Sequence, residues 1–193
     1  MSEHHADGAL AAQTRHVEAL LEARGLLDAA ELDRALEAFL VAASPANGAR
    51  VAARAWVDDS FRDRLLADGN AAIEELGLSM GGGIQPQRLK VVANSETEHN
   101  VIVCTLCSCY PIALLGPSPT WYKSEAYRSR VVRDPRGVLA EFGTELPEGM
   151  HITVWDASAE TRYMVLPRKP ADLPEEELAA LVTRNGLIGT ALL

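Results

Sequence analysis

The sequence predicts an α+β protein, with a helical arm over residues 1–80 followed by a mixed domain over residues 81–193. Three observations carry that reading. Apolar residues recur at helical spacing up to about residue 76, in segments rich in alanine. Gly81, Gly82 and Gly83 then interrupt the pattern. Beyond them, apolar runs of strand length alternate with helical ones.

Residues 1–8 are polar, and His4 beside His5 reads as a terminal tail rather than a ligand pair. From Ala9 onward Leu10, Val17, Leu20 and Leu21 share a helical face, with Gly25 as a stop. Asp28 and Glu31 form a capping box for a second helix, whose face is Leu32, Leu36, Phe39 and Leu40; Pro45 lies beyond its end. A third helix starts near Asn47 and gathers Val51, Ala52, Ala55 and Trp56. Shorter helices cover 60–66 and 71–76, with Gly69 and Gly77 as terminators. Helices so thinly apolar rarely form their own core, so the arm is expected to pack on another chain. The three glycines lack the Lys-Ser/Thr pair and following helix of a phosphate cradle, and read as a hinge. Residues 89–93 and 100–103 read as strands. Asp134 and Pro135 open a helix reaching about Phe142. Residues 151–155 and 161–166 read as strands joined by a short turn. Glu175, Glu176 and Glu177 after Pro174 suit the start of a helix through Val182.

A chain of 193 residues holds one domain, or a domain with an appendage. Its hydrophobic content of 48% is that of a globular protein. No apolar run has the length of a membrane span and no signal peptide opens the chain, so a cytoplasmic location and no membrane partner are expected. The net charge of −9 argues against a nucleic-acid partner. Arg128, Arg130, Arg133 and Arg136 are a local exception; ion pairing within the fold or at a subunit contact is preferred over anion recognition.

All three cysteines fall in Cys104-Thr105-Leu106-Cys107-Ser108-Cys109, ahead of Tyr110 and Pro111. Three sulfurs this close converge only if the backbone folds into a tight claw around one ion, and thiolates select a transition metal over magnesium or calcium. The amide nitrogens around Ser108 point inward in such a claw and can become ligands too. Three alternatives stay open on the residues alone: a structural zinc site with His99 as fourth ligand, a Cys107–Cys109 disulfide, or three buried thiols. The odd cysteine count argues against a disulfide framework. Neither His99 nor His151 sits in a nucleophile context.

The claw resembles that of the nitrile hydratase alpha chain and of the related thiocyanate hydrolase gamma subunit. The likeness extends to Val101-Ile102-Val103, Trp121-Tyr122-Lys123-Ser124, Tyr127-Arg128-Ser129-Arg130-Val131-Val132-Arg133, Pro135-Arg136, the stretch from Glu160 to Pro167, and Leu187-Ile188-Gly189. It runs from about Gln85 to the C-terminus. The resemblance implies an extended N-terminal arm and a four-layered α/β/β/α domain, with the metal loop near a subunit interface. It implies that the thiolates of Cys104, Cys107 and Cys109 and the backbone nitrogens of Ser108 and Cys109 bind a low-spin trivalent ion, with Cys104 axial. Thr105 and Tyr110 match the cobalt type, where the iron type has Ser and Thr, so non-corrin Co(III) is expected rather than Fe(III). By the same resemblance Cys107 becomes a sulfinate and Cys109 a sulfenate, the sulfenate being a candidate nucleophile. The resemblance implies that two arginines of a beta-type partner subunit face the oxidised sulfurs. Gln85 aligns with a glutamine near the active site, and Arg162 is placed to brace the claw.

The implied reaction adds water across a nitrile to give a carboxamide, with the metal acting on the nitrile or on water. Relative to the family pattern, Ile112-Ala113 stands in place of Trp-Pro, and Gln85-Pro86-Gln87 in place of Gln-Gly-Glu. Loss of an indole wall suggests a roomier pocket suited to a bulky nitrile such as the nucleoside toyocamycin. The alternatives are a thiocyanate hydrolase gamma subunit and a subunit that carries cobalt without catalysis.

Overall fold

The computed structural model describes residues 3–80 and 87–193; the glycine run at 81–83 and Gln85 lie outside the described residues. The chain divides into two compact units, Met1–Val41 and Ala42–Leu193. The first holds α1 (Glu3–Ala23) and nearly all of α2 (Ala29–Ala42). Asp28 Oδ1 accepts a 2.9 Å hydrogen bond from Glu31 N, the cap anticipated from sequence. Leu10, Val17, Leu20, Leu36, Phe39 and Leu40 are all exposed, and α2 buries no residue. Leu21 and Leu32 are only half-buried, so among the described residues these two helices bury no core of their own.

The second unit contains α3 (Pro45–Val57), α4 (Asp59–Ala67), α5 (Gly69–Glu74), β1 (Arg88–Ala93) and β2 (Glu98–Val103). There follow α6 (Ile112–Leu115), α7 (Glu125–Arg130), α8 (Pro135–Glu141), β3 (His151–Asp156), β4 (Thr161–Leu166) and α9 (Glu175–Leu181). Ser44, Asp58, Asp68, Ser124 and Asp134 each accept an amide hydrogen bond at a helix start, a contribution of about 1 kcal/mol apiece. Here α3–α5 differ from the arm expected of them. Val51, Ala52, Trp56, Phe61, Leu65 and Ile73 join the same core as the strands. Small residues explain it: Gly48, Ala49, Ala52 and Ala55 let α3 lie close against α6 and α9. Gly69 also departs from its expected role as a terminator. It sits at the start of α5, where a Cβ would come 2.7 Å from the Leu89 carbonyl oxygen.

Among the described residues four strands form two parallel pairs, β1 with β4 and β2 with β3. The turn expected to join β3 to β4 is present, with Ser158 Oγ accepting from Thr161 N at 3.1 Å, yet it carries the chain from one sheet to the other. Parallel pairing buries β2 almost throughout, and its partner β3 arrives after a long crossover through α6–α8. The α+β class read from the sequence is therefore the observed one, with α4 and α5 against β1 and α8 against β3. Among the described residues, no helix is long and apolar enough to cross a membrane.

A buried polar cluster ties the sheets together. Asn100 receives Trp155 Nε1 at 2.7 Å and donates to the Ala93 carbonyl at 2.9 Å. His99 Nε2 meets the Gly189 carbonyl at 2.8 Å, and its Nδ1 lies 3.3 Å from the Asn94 amide. Both contacts fit a neutral ring that donates from Nε2 and accepts at Nδ1. Burial holds the His99 pKa below its usual value, against the pull of the Gly189 bond. A depressed histidine contributes stability that is fully present above the unfolded pKa and lost as pH falls toward the folded one, because the unfolded chain takes up the proton first. Thermal melts should therefore show a midpoint that drops on acidification below about pH 6.5, and His99→Gln should flatten that slope. An unchanged slope in the variant would assign the acid sensitivity elsewhere.

Candidate metal centre

Strand β2 ends at Val103, whose partner on β3 is Asp156. The cysteine loop begins at the next residue. Cys104 is buried, Cys109 partly buried and Cys107 exposed, and all three are free thiols. Cys107 Sγ lies 3.4 Å from Cys104 Sγ and 3.3 Å from Cys109 Sγ, and all three sulfurs fall within 4.8 Å of one another. These separations are far longer than a covalent S–S bond of about 2.05 Å, so the thiols are not paired. Among the described residues no His, Asp or Glu joins the group. His99, the fourth zinc ligand considered above, is engaged by Gly189 and Asn94.

Side chains from two other parts of the fold hold the loop. Asp156 accepts from Thr105 N at 2.9 Å and from Thr105 Oγ1 at 2.6 Å. Arg128 Nη1 donates to the Thr105 carbonyl at 3.1 Å. Tyr122 Oη donates to the Cys109 carbonyl at 2.9 Å, and Tyr127 Oη to the Ile102 carbonyl at 2.7 Å. The rings sit in an aromatic cluster: Tyr110 and Tyr122 are 5.0 Å apart edge to face, and Trp121 is 5.0 Å from Tyr127 and 4.5 Å from Phe142. Such pairs favour edge-to-face or tilted packing, which fixes where each phenol points.

The three thiols have different acidities. Contact with the Cys109 thiol and then with the Cys104 thiol, aided by the neighbouring backbone, lowers the Cys107 pKa to about 7. Burial pushes Cys109 up to about 12, reinforced by the Cys107 contact and opposed by the charge of Arg162. Clustered soft sulfurs are donors that suit a transition ion.

The structure thus brings Cys104, Cys107, Ser108 and Cys109 together. Arg162, on β4 opposite Leu89, is near enough for its charge to act on Cys109. Its guanidinium bonds the Ser158 and Ala159 carbonyls, while its Nε is buried without a partner. The expected ion pairing of the arginine run holds for Arg130, which binds Glu141 at 2.6 Å. Arg136 instead caps the Leu146, Pro147 and Met150 carbonyls, and Arg128 grips the cysteine loop. Sequence reasoning missed Asp156, Tyr122 and Arg128 as supports. No local signal marked Asp156, because its place beside the loop depends on β3 pairing with β2.

The family model described as nitrile hydratase, alpha chain, matches residues 8–191. The alpha subunit of the low-molecular-weight cobalt-containing nitrile hydratase of Rhodococcus rhodochrous is 47% identical over 186 residues, covering 95% of this chain and 88% of the relative. Among solved structures, a double mutant of the Fe-type nitrile hydratase from Comamonas testosteroni Ni1 superposes with a TM-score of 0.88 at 39% identity, over 96% of this chain and 91% of the other. A recombinant thiocyanate hydrolase with partially modified cobalt centres gives 0.88 and 39%, over 95% and 89%. A family match over nearly the full length, with close relatives at that coverage and three thiols gathered on one loop, establishes that this chain belongs to the nitrile hydratase alpha-chain family.

Proposed function

We propose that this chain is the metal-bearing subunit of a cobalt nitrile hydratase, converting a nitrile to its carboxamide only when assembled with a beta-type partner. The observation that carries the reading is the convergence of three free thiols within 4.8 Å of one another. The cobalt-containing relative supports the choice of ion. Cys104, Cys107 and Cys109, with the amide nitrogens of Ser108 and Cys109, would hold Co(III). When bound, the ion supplies Lewis-acid activation of the nitrile or of water. The chain's own residues do the rest. Asp156 and Arg128 fix Thr105 beside Cys104. Arg162 places positive charge near Cys109, opposing the upward pull of burial on its pKa.

Oxidation of Cys107 to the sulfinate and Cys109 to the sulfenate agrees with exposure, since Cys107 is the open thiol and Cys109 the sheltered one. Two partner arginines facing those oxygens, a second-layer role for Gln85, and a cytoplasmic location are parts of the same proposal. Ile112, 37% exposed in place of a family tryptophan, supports a roomier pocket and a bulky nucleoside-type nitrile. The same substitution, with the thiocyanate hydrolase likeness, favours hydrolysis of thiocyanate as the second reading.

The test is purification of the complex with its partner, followed by metal analysis, mass spectrometry and assay. Expected are cobalt, two added oxygens on Cys107 and one on Cys109, and faster turnover of toyocamycin than of small aliphatic nitriles or thiocyanate. Reversibly bound divalent cobalt with unoxidised sulfurs would instead make this a carrier subunit. Preferential turnover of small nitriles would remove the large-pocket reading and leave the hydratase intact.

A further inference from the structure

Three buried phenols meet beneath the cysteine loop and end differently. Tyr110 Oη has no hydrogen-bond partner among the described residues. Tyr127 Oη reaches the Ile102 carbonyl, upstream of the loop, at 2.7 Å. Tyr122 Oη reaches the Cys109 carbonyl, inside it, at 2.9 Å. We propose that Tyr122 is a positioning residue for the metal centre, orienting Cys109 through the carbonyl of that same residue. The proposal rests on the metal-centre reading of the loop.

Cys109 would supply two donors, its sulfur and its amide nitrogen. Both hang from the α-carbon that also carries the carbonyl, so fixing the carbonyl oxygen restricts the torsions that aim them. The other supports act elsewhere: Asp156 and Arg128 both hold Thr105, next to Cys104. Among the described residues no other side chain from outside the loop donates to residues 106–109. The tether is stiff. Tyr122 is fully buried, edge-on to Tyr110 at 71°, and within 5.8 Å of the Tyr127 ring. Groups that orient a ligand from outside the coordination sphere commonly change metal affinity or activity by about 10–100-fold when removed.

The experiment compares Tyr122→Phe and Tyr127→Phe with the parent, each in the assembled cobalt-loaded complex. Both variants lose one buried phenol–carbonyl hydrogen bond and should lose similar thermal stability. Only Tyr122→Phe should release cobalt to a chelator about tenfold faster and shift the sulfur-to-cobalt charge-transfer band. Parent-like release and spectrum in Tyr122→Phe would overturn the role, and so would equal acceleration in both variants, which would mark a purely structural effect. A parent that holds no cobalt fails the metal reading itself, and the positioning role falls with it.

Discussion

Gly189→Ala is expected to destabilise the second unit by about 4 kcal/mol or more, enough to unfold a marginally stable domain. Gly189 has φ 81°, a conformation that costs an alanine about 1–2 kcal/mol. The larger penalty is steric. An added Cβ would overlap the Asn100 carbonyl oxygen and come 2.9 Å from Val101 Cα. Neither can retreat, because Asn100 and Val101 are locked in register with Thr153 and Val154 of β3. The Gly189 carbonyl that receives His99 would move as well. Denaturant titration of soluble variant, or its absence from the soluble fraction, checks the expectation. A loss below about 1 kcal/mol, the ordinary effect of a point substitution, would contradict it.

Asp156→Ala is expected to lower cobalt retention and activity by about 10–100-fold while leaving every proposed metal ligand in place. The carboxylate accepts two hydrogen bonds from Thr105, one residue after Cys104, and it arrives there because β3 pairs with β2 up to Val103. Alanine leaves the Thr105 amide and hydroxyl without that anchor. Asp156→Asn should fall between parent and alanine, since its amide oxygen still accepts from Thr105 N while the charge is gone. Cobalt content per chain and release to a chelator measure both. Asn and Ala variants that match the parent would show that Arg128 and the loop alone suffice at this end.

Local rules made much of the chain readable in advance. The caps at Asp28 and Asp134 and the extent of β4 are decided by neighbours within a few residues and stand as read, while β3 runs one residue further than read, to Asp156. Alanine-rich α3–α5 were harder, because periodicity reports that a face is apolar and says nothing about what will cover it. Their small residues turned out to permit close packing within the same chain. The pairing of β3 and β4 was also beyond reach, since adjacent strands joined by a short turn look alike whether they pair together or separately.

The sequence by itself determined the chemistry on offer: a six-residue segment carries every thiol, and no placement of that loop could separate them by more than a short span. It also determined the family, because the flanking motifs are contiguous and dense. Only the tertiary structure decided what holds the loop in shape. Tyr122, Tyr127 and Arg128 come from one stretch beyond it and Asp156 from a strand some fifty residues away. Contacts of that range depend on strand register and aromatic packing, which no local pattern encodes.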